Sequence, residues 1–216
     1  MVGQNLAQAL VAHGHTVMIG TRDVEKTLSN NNPNDYGLPA FSIWHENHKS
    51  IALVSYADAV NFGDIIINAT NGNVSIDALY LGNADKAGNK ILVDVANKLQ
   101  PVAGGMAKSL ASDETSLGEE IQAAFPSLRV VKTFNTMNTY VMTNPSSVAG
   151  NSSVFLSGND IEAKVVVKDL LKNMGWADII DLGDITGSRG TEMMMSIWLR
   201  LWTVIGNTPF NFKIVR

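Results

Sequence analysis

Short runs of uninterrupted apolar residues recur along the chain and alternate with segments of helical periodicity. The runs at 64–70 and 90–96 place Ile, Leu and Val at successive positions, a pattern typical of strands that are buried on both faces. Strands of this kind belong to parallel sheets that helices cover on both sides. Apolar residues spaced three and four apart predict amphipathic helices between the runs, most clearly at 163–174. The alternation therefore predicts an α/β fold built on a doubly wound, mostly parallel sheet.

The alternation continues to about residue 150, where a polar connection follows. We expect residues 1–150 to form the main sheet domain and residues 151–216 to form a small C-terminal α/β appendage. Asn159 and Glu162 have the spacing of a capping box at the start of the appendage's amphipathic helix. We expect this appendage to take part in substrate binding or dimerisation.

Composition excludes several classes of function. The 216 residues include 16 Lys and Arg against 20 Asp and Glu, a net charge of −4 without a basic stripe, so no nucleic acid partner is expected. The absence of cysteine excludes disulfides, thiolate ligands and cysteine nucleophiles. The longest apolar stretch, 193–205, contains Arg200 and is shorter than the roughly 20 residues of a membrane span. With no secretory pattern at the start, a cytoplasmic protein without membrane contact is expected.

Motifs for metal or nucleophilic catalysis are weak. Of the four histidines, only His45 and His48 have a ligand-like spacing, and a solvated loop pair is the favoured interpretation. The chain contains neither a G-x-S-x-G elbow nor a G-x-x-x-x-G-K-[ST] loop, so serine hydrolysis and P-loop phosphoryl transfer lack their usual supports. No metal site is expected, and no catalytic residue is assigned.

Two short segments look like half of a dinucleotide site. Gly3 stands at the mouth of the first helix, where the third glycine of a G-x-G-x-x-G fingerprint would let that helix approach the sheet and face a pyrophosphate. Thr21 and Arg22 end the next strand, and a cation there suits the 2′-phosphate of NADP rather than the ribose hydroxyls of NAD. An ordinary solvated turn at 21–23 explains the same residues, so both interpretations stay open at this point.

Nearly the whole chain then resembles a family. It is similar to the NADP-dependent oxidoreductases related to NADPH:deazaflavin coenzyme reductase, whose dinucleotide-binding Rossmann unit also resembles the cytosolic domain of transmembrane metalloreductases. No single motif is decisive, but the order and spacing of the set are specific. The motifs are Gly14-His15, Ile19-Gly20-Thr21-Arg22 with Glu25-Lys26, Asn68-Ala69-Thr70-Asn71-Gly72, Leu92-Val93-Asp94-Val95-Ala96-Asn97, Val130-Val131-Lys132-Thr133-Phe134-Asn135-Thr136-Met137 and Phe212-Lys213-Ile214.

The resemblance implies NADP as cofactor and a set of binding residues at the carboxyl ends of strands, where open α/β sheets bind ligands. The expected contacts are Met1, Val2 and Gly3 with the pyrophosphate, Thr21, Arg22 and Lys26 with the 2′-phosphate, Ala69, Thr70 and Asn71 with the riboses, and Asn97, Asn135 and Thr136 with the nicotinamide. Turn chemistry is the competing explanation for the asparagines, because Asn is common in turns.

The chain departs from the family in two places. The family begins with a central strand and the first two fingerprint glycines, whereas this sequence starts after both. We therefore expect one of three explanations: a start further upstream, a fold that closes the gap, or a strand borrowed from a partner chain. For the sequence as it stands, we expect weakened dinucleotide affinity. The deazaflavin reductases carry Ile-Pro-Trp and His-Thr-Ile-Pro where this chain has Thr70-Asn71-Gly72 and Asn135-Thr136-Met137-Asn138. Both differences concern the expected acceptor and leave the expected cofactor unchanged.

The sequence thus predicts an NADP(H)-dependent oxidoreductase that passes a hydride to a small-molecule electron acceptor of the deazaflavin or flavin class. The alternative is a non-catalytic dinucleotide-binding or sensing protein with the same Rossmann-like fold. Trp198 and Trp202 on the last helix could wall a flat substrate ring, but that spacing is more typical of core. The apolar stripe of this helix makes a homodimer plausible.

Overall fold

A computed structural model describes residues 1–33, 37–102, 107–206 and 208–216. Strands and helices alternate along most of it, as the apolar runs predict. The strands are β1 (Met18–Thr21), β2 (Ala52–Ser55), β3 (Ile65–Asn68), β4 (Ile91–Asp94), β5 (Leu99–Gln100), β6 (Lys108–Ser109), β7 (Arg129–Thr133), β8 (Ser153–Ser157) and β9 (Asp178–Asp181). The helices are α1 (Val2–Ala12), α2 (Val24–Ser29), α3 (Phe41–Glu46), α4 (Tyr56–Phe62), α5 (Ser75–Leu81), α6 (Leu117–Ala124), α7 (Thr139–Thr143), α8 (Ile161–Asn173) and α9 (Ser188–Ile205).

The main sheet has five strands in the order β3-β4-β7-β8-β9. Strands β3, β4 and β7 are parallel, β8 runs antiparallel to β7, and β9 is parallel to β8. Helices α1 and α8 pack on one face of this sheet, and α5 and α6 pack on the other. The predicted α/β class and the mostly parallel, Rossmann-like sheet are confirmed.

The sheet is split between β1 and β3. Strands β1 and β2 pair in parallel as a separate two-stranded sheet, and within the described ranges β3 pairs with β4 alone. Ile65, Ile66 and Ile67 are consequently half-buried, so the expectation of burial on both faces is wrong at β3. The isoleucines are partly uncovered because β3 has a neighbouring strand on one side only within the described ranges. Closure of the gap by the described part of the fold, one of the expected outcomes, is not seen.

One apolar core joins residues on both sides of position 150. Leu6 of α1, Val131 of β7 and Val167 of α8 belong to the same buried cluster, together with Trp176. Strands β8 and β9 extend the sheet begun by β3, β4 and β7. The division into 1–150 and 151–216 stays a prediction, because a shared sheet does not show which part folds by itself.

The ends of two late helices differ from expectation. Asp160, not Asn159, caps α8, and its carboxylate accepts a hydrogen bond from the Ala163 N–H at 2.7 Å. The Asn159 side chain instead accepts from the Ile185 N–H at 3.0 Å, which ties the two segments together. Helix α9 begins at Ser188, earlier than its apolar stripe indicates, and includes Gly190.

The C-terminal residues pack around α9. Trp198 is 8% exposed and stacks on Phe210 with a centroid distance of 5.5 Å, within a cluster that includes Leu99 and Phe212. The core interpretation is confirmed for Trp198, whereas Trp202 keeps 41% of its surface exposed. In the ranges given above, no helix is long and apolar enough to cross a membrane.

Candidate functional site

Most of the predicted binding residues lie at or just after the ends of four strands that pair in parallel. Thr21 ends β1, Ala69–Asn71 follow β3, Asn97 follows β4, and Asn135–Thr136 follow β7. Because β3, β4 and β7 are parallel neighbours, the last three groups share one edge of the main sheet. The structure therefore brings the ribose and nicotinamide candidates together where an open α/β sheet binds ligands.

The N-terminus of α1 reaches this edge beside β3. A Cβ placed on Gly3 would lie 3.6 Å from the Ala69 Cβ, an ordinary van der Waals distance, so the two positions are neighbours. A methyl group would therefore have room at position 3. Met1 is the N-cap residue, no side chain caps the helix, and its first turn carries no acidic residue. The first-turn N–H groups, including those of Val2 and Gly3, are thus available to an anion.

The end of β1 presents two exposed cations. The Asp23 carboxylate caps α2 by accepting from the Lys26 N–H at 2.9 Å, and Thr21 Oγ1 hydrogen-bonds Thr27 Oγ1 at 2.9 Å. These contacts fix the turn around Arg22, which is exposed and forms no ion pair with any residue of the described ranges. An open cleft of about 350 Å³ lies beside it. Its lining residues are Thr21, Arg22, Ser55, Tyr56, Ala57 and Leu81, of which sequence reasoning found the first two.

The turn after β3 is pressed against the segment after β4. A Cβ on Gly72 would stand 2.3 Å from the Asn97 carbonyl oxygen, so any side chain there would displace the backbone. Asn71 accepts a hydrogen bond from the Asn73 N–H at 3.0 Å, and Thr70 Oγ1 donates to Asn68 Oδ1 at 2.7 Å. Thr70–Gly72 therefore form a fixed turn beside Asn97.

Asn97 and Asn135 bond each other across the ends of β4 and β7. Asn97 Nδ2 donates to the Asn135 carbonyl at 2.8 Å, and Asn135 Nδ2 donates to Asn97 Oδ1 at 3.0 Å. Asn135 and Thr136 are 3% and 2% exposed, so they form the floor of the edge more than its surface. Phe134 just before them has φ +65°, a left-handed conformation that is strained for a bulky residue.

Sequence reasoning missed a buried polar row beneath this edge. Asn68, Asp94 and Lys132 occupy register-matched positions on β3, β4 and β7, and Glu192 reaches the row from α9. Burial of Lys132 disfavours its ammonium, but the Asp94 and Glu192 carboxylates outweigh that effect and raise the pKa of Lys132 above its ordinary value. The available signal was one polar residue near the end of each of three successive apolar runs.

The histidine pair lies away from the sheet edge and has structural contacts. His45 is buried on α3, where its Nε2 lies 2.9 Å from the Ile51 carbonyl oxygen. His48 stacks on Trp44 at a centroid distance of 4.2 Å. The solvated-loop interpretation is wrong for His45. No group of three or more His, Asp or Glu residues able to hold a metal ion occurs among the described residues.

The residues at the edge fit a phosphate-bearing dinucleotide. An uncapped helix N-terminus supplies N–H donors for a pyrophosphate, and Arg22 with Lys26 supplies positive charge for a further phosphate. In the sequence, Thr70 and Asn71 come after the residues of these two groups and before Asn97. Their side chains offer hydroxyl and amide partners for ribose. The donors and cations therefore match the chemistry of such a cofactor.

Comparison with known proteins connects this site to a family. A family model described as "NADP oxidoreductase coenzyme F420-dependent" matches residues 1–98. The crystal structure of a candidate F420-dependent NADP-reductase from Arthrobacter sp. FB24 superposes with a TM-score of 0.92 and is 45% identical, with 100% of this chain and 95% of that chain covered. High identity over the full length extends the likeness beyond the residues that the family model matches.

Two more distant proteins are also similar. Metalloreductase STEAP3 of Rattus norvegicus is 28% identical over 202 residues, which are 93% of this chain and 36% of that protein. The chain thus spans about a third of the length of this curated relative. Imine reductase BcSIRED from Bacillus cereus BAG3X2 superposes with a TM-score of 0.60 at 14% identity, over 94% of this chain and 58% of that one, which is a likeness of fold alone.

Proposed function

Because the chain belongs to the family of coenzyme F420-dependent NADP oxidoreductases, we propose that it transfers a hydride between NADP(H) and a small-molecule acceptor of the deazaflavin or flavin class. The observation that carries this proposal is the combination of a first turn of α1 that has no side-chain cap and no acidic residue with an exposed Arg22 that forms no ion pair among the described residues. The first provides donors for the pyrophosphate, and the second provides the cation that distinguishes NADP from NAD.

Each part of the cofactor has its own residues in this proposal. Met1, Val2 and Gly3 flank the pyrophosphate at the start of α1, and Thr21, Arg22 and Lys26 hold the 2′-phosphate at the end of β1. Ala69, Thr70 and Asn71 contact the riboses, while Asn97, Asn135 and Thr136 support the nicotinamide. The common placement of the last two groups at the carboxyl edge of β3, β4 and β7 supports this assignment.

The protein's contribution to the reaction is alignment. The nicotinamide supplies the hydride when NADPH is bound, and the acceptor ring takes it up with both electrons. Asn97 and Asn135, fixed by their mutual hydrogen bonds, orient the site, and the buried floor around Thr136 excludes water. No side-chain acid or base is needed for a direct hydride transfer, so no catalytic residue is proposed.

Anaerobic oxidation of NADPH tests the function. The purified chain is mixed with NADPH and, separately, with a deazaflavin, FMN, a quinone or a ferric chelate. Steady NADPH oxidation with a deazaflavin or flavin supports the proposal, while turnover with the quinone or ferric chelate alone would reassign the acceptor. Arg22→Ala serves as the internal check, since its turnover should fall when NADPH is kept below saturation.

A non-catalytic dinucleotide-binding or sensing protein is the second candidate. It would bind the nucleotide through the same strand-end residues and would pass no hydride to an acceptor. Tight NADPH binding without turnover across the whole acceptor panel would establish this role. Turnover with any acceptor would exclude it.

We also propose that the chain forms a homodimer through the exposed apolar side of α9. Met193, Ile197 and Val204 lie on one side of this helix and are 41%, 52% and 76% exposed. Contiguous apolar surface of this kind is often buried between subunits. Sedimentation velocity should show a dimer that Ile197→Glu converts to a monomer, and a wild-type monomer would contradict it.

A further inference from the structure

Three register-matched polar residues form a buried row across the parallel strands of the main sheet. Asn68 of β3 is paired with Asp94 of β4, and Asp94 is paired with Lys132 of β7. Adjacent strands place paired residues on the same face, so the three side chains form one line beneath the carboxyl edge. Asn68 Nδ2 donates to Asp94 Oδ1 at 2.7 Å, and Lys132 Nζ lies 2.8 Å from Asp94 Oδ2.

Glu192 completes the row from the C-terminal helix α9. Its Oε1 lies 2.9 Å from Lys132 Nζ, and its two oxygens also accept from the Leu117 and Gly118 N–H groups at 2.9 and 3.1 Å. These N–H groups open α6, so one carboxylate both pairs with Lys132 and caps a helix. The side chains of Lys132 and Asp94 have no exposed surface, and that of Glu192 has 4%.

The row bonds directly to the proposed cofactor loops. Lys132 Nζ donates to the Ala96 carbonyl at 2.5 Å, and Asp94 Oδ1 accepts from the Ala96 N–H at 3.2 Å, one residue before Asn97. On the other side, Asn68 Oδ1 accepts from Thr70 Oγ1 at 2.7 Å. The same buried groups therefore hold both loops that the proposed function assigns to the ribose and nicotinamide.

The charge of the row does not cancel. Two carboxylates face one ammonium, which leaves a net charge of about −1 where water is absent, and nearby backbone N–H groups offset it only as dipoles. A nicotinamide that gives up its hydride becomes a cation. A fixed negative charge nearby stabilises that cation more than the neutral reduced ring.

We propose that Asp94, Lys132 and Glu192 are positioning residues whose net negative charge makes the site favour NADP⁺ over NADPH, relative to the same site without that charge. This inference rests on the proposed function, because it needs a nicotinamide at the carboxyl edge of β3, β4 and β7. A purely structural cluster would support both nucleotides alike, since they differ only at the nicotinamide ring.

The test is the ratio of the dissociation constants for NADP⁺ and NADPH, measured by calorimetry. Glu192→Gln and Asp94→Asn each remove one negative charge through different contacts, and both should raise the ratio Kd(NADP⁺)/Kd(NADPH) by roughly three- to tenfold. Glu192→Asp keeps the charge and should keep the wild-type ratio even where both affinities fall. Asp181→Asn is the matched control. The Asp181 carboxylate lies on the outer strand β9, where it pairs with Lys164 of α8, so removing its charge should leave the ratio unchanged.

The outcomes separate this inference from the proposed function. If the wild type binds neither nucleotide, the proposed function is wrong, and the inference falls with it. If the wild type binds both but the two charge-removing variants weaken them by equal factors, the cluster is structural and the inference alone is overturned. Thermal unfolding of each variant identifies any that fails to fold, and either charge-removing variant decides the question without the other.

Discussion

Asn97 and Asn135 exchange two hydrogen bonds, of 2.8 and 3.0 Å, between the segments that follow β4 and β7. Each side-chain amide thereby fixes the loop that carries the other. The pair also uses some of the hydrogen-bonding groups that we expected to contact the nicotinamide. The turn interpretation and the binding interpretation of these asparagines are therefore compatible, since a locked turn can also orient a ligand.

Replacing one member of the pair should destabilise the edge. In Asn135→Asp a carboxylate faces Asn97 Oδ1 and cannot donate to it, so we expect the free energy of unfolding to fall by about 1–3 kcal/mol. NADPH affinity should fall with it. Asn138→Asp is the matched control, because Asn138 caps α7 through its oxygen and Asp serves equally well there. Denaturant unfolding measures both variants, and equal stability would show that the pair contributes nothing.

The exposed guanidinium of Arg22 at the end of β1 should determine nucleotide choice. Arg22→Ala removes the proposed partner of the 2′-phosphate, so NADPH affinity should drop by roughly ten- to a hundredfold while NADH affinity changes little. Arg200→Ala removes another exposed arginine, on α9, and should leave both affinities unchanged. Parallel titrations of NADPH and NADH check this, and an equal loss for both nucleotides would refute the assignment of the 2′-phosphate.

Two glycine substitutions should have opposite effects. Gly72→Ala forces a Cβ to within 2.3 Å of the Asn97 carbonyl oxygen, so the turn must move and the protein should lose about 1–3 kcal/mol of stability. Gly190→Ala places a methyl group on the exposed side of α9 with no atom within 4 Å, and should stabilise the helix by up to about 1 kcal/mol. Thermal unfolding distinguishes them, and a neutral Gly72→Ala would contradict the close contact.

An ion pair between α6 and α9 should give the protein a defined acid sensitivity. Hydrogen bonds from Arg189, at 2.7 and 2.5 Å, hold the pKa of the Glu119 carboxyl below its ordinary value. A lowered folded-state pKa contributes stability above the unfolded-state pKa of about 4.3, and this contribution is lost as the pH falls through the folded-state pKa. The stability difference between wild type and Glu119→Gln should thus be full near neutrality and shrink below about pH 4.

The double variant provides the control for this pH dependence. In an Arg189→Gln background, Glu119→Gln removes a carboxylate that has already lost its ion-pair partner and keeps only the hydrogen bond from the Ser116 hydroxyl, so the difference in unfolding free energy should vary less with pH. Urea unfolding at a series of pH values measures both differences. An equally strong pH dependence in the two backgrounds would show that Arg189 is not its cause.

Local patterns were sufficient to predict most of the fold, because helix periodicity and apolar runs depend on near neighbours in the chain. The mostly parallel sheet follows from them, whereas the choice between Asn159 and Asp160 as cap of α8 depends on the contact of Asn159 with Ile185. The burial of β3 was overestimated, since it depends on a neighbour across the sheet.

The candidate site was predictable only in part, because it too depends on contacts between residues that are far apart in the chain. Strand-end residues such as Thr70 and Asn97 follow directly from strand positions, whereas the contacts of Asp94, Lys132 and Glu192 require the register of β4 with β7 and the docking of α9. A lysine inside an apolar run was visible in the sequence, but its two carboxylate partners are 38 and 60 positions away in the chain. Such partners cannot be paired without the sheet.

Calorimetric titration of NADPH and of NADH into the purified chain tests the central claim most directly, because the account depends on a site for the 2′-phosphate. We predict saturable binding of NADPH with one site per chain, and binding of NADH at least tenfold weaker. Equal affinity for the two nucleotides, or no binding of either, would contradict the assignment of this edge of the sheet to NADP.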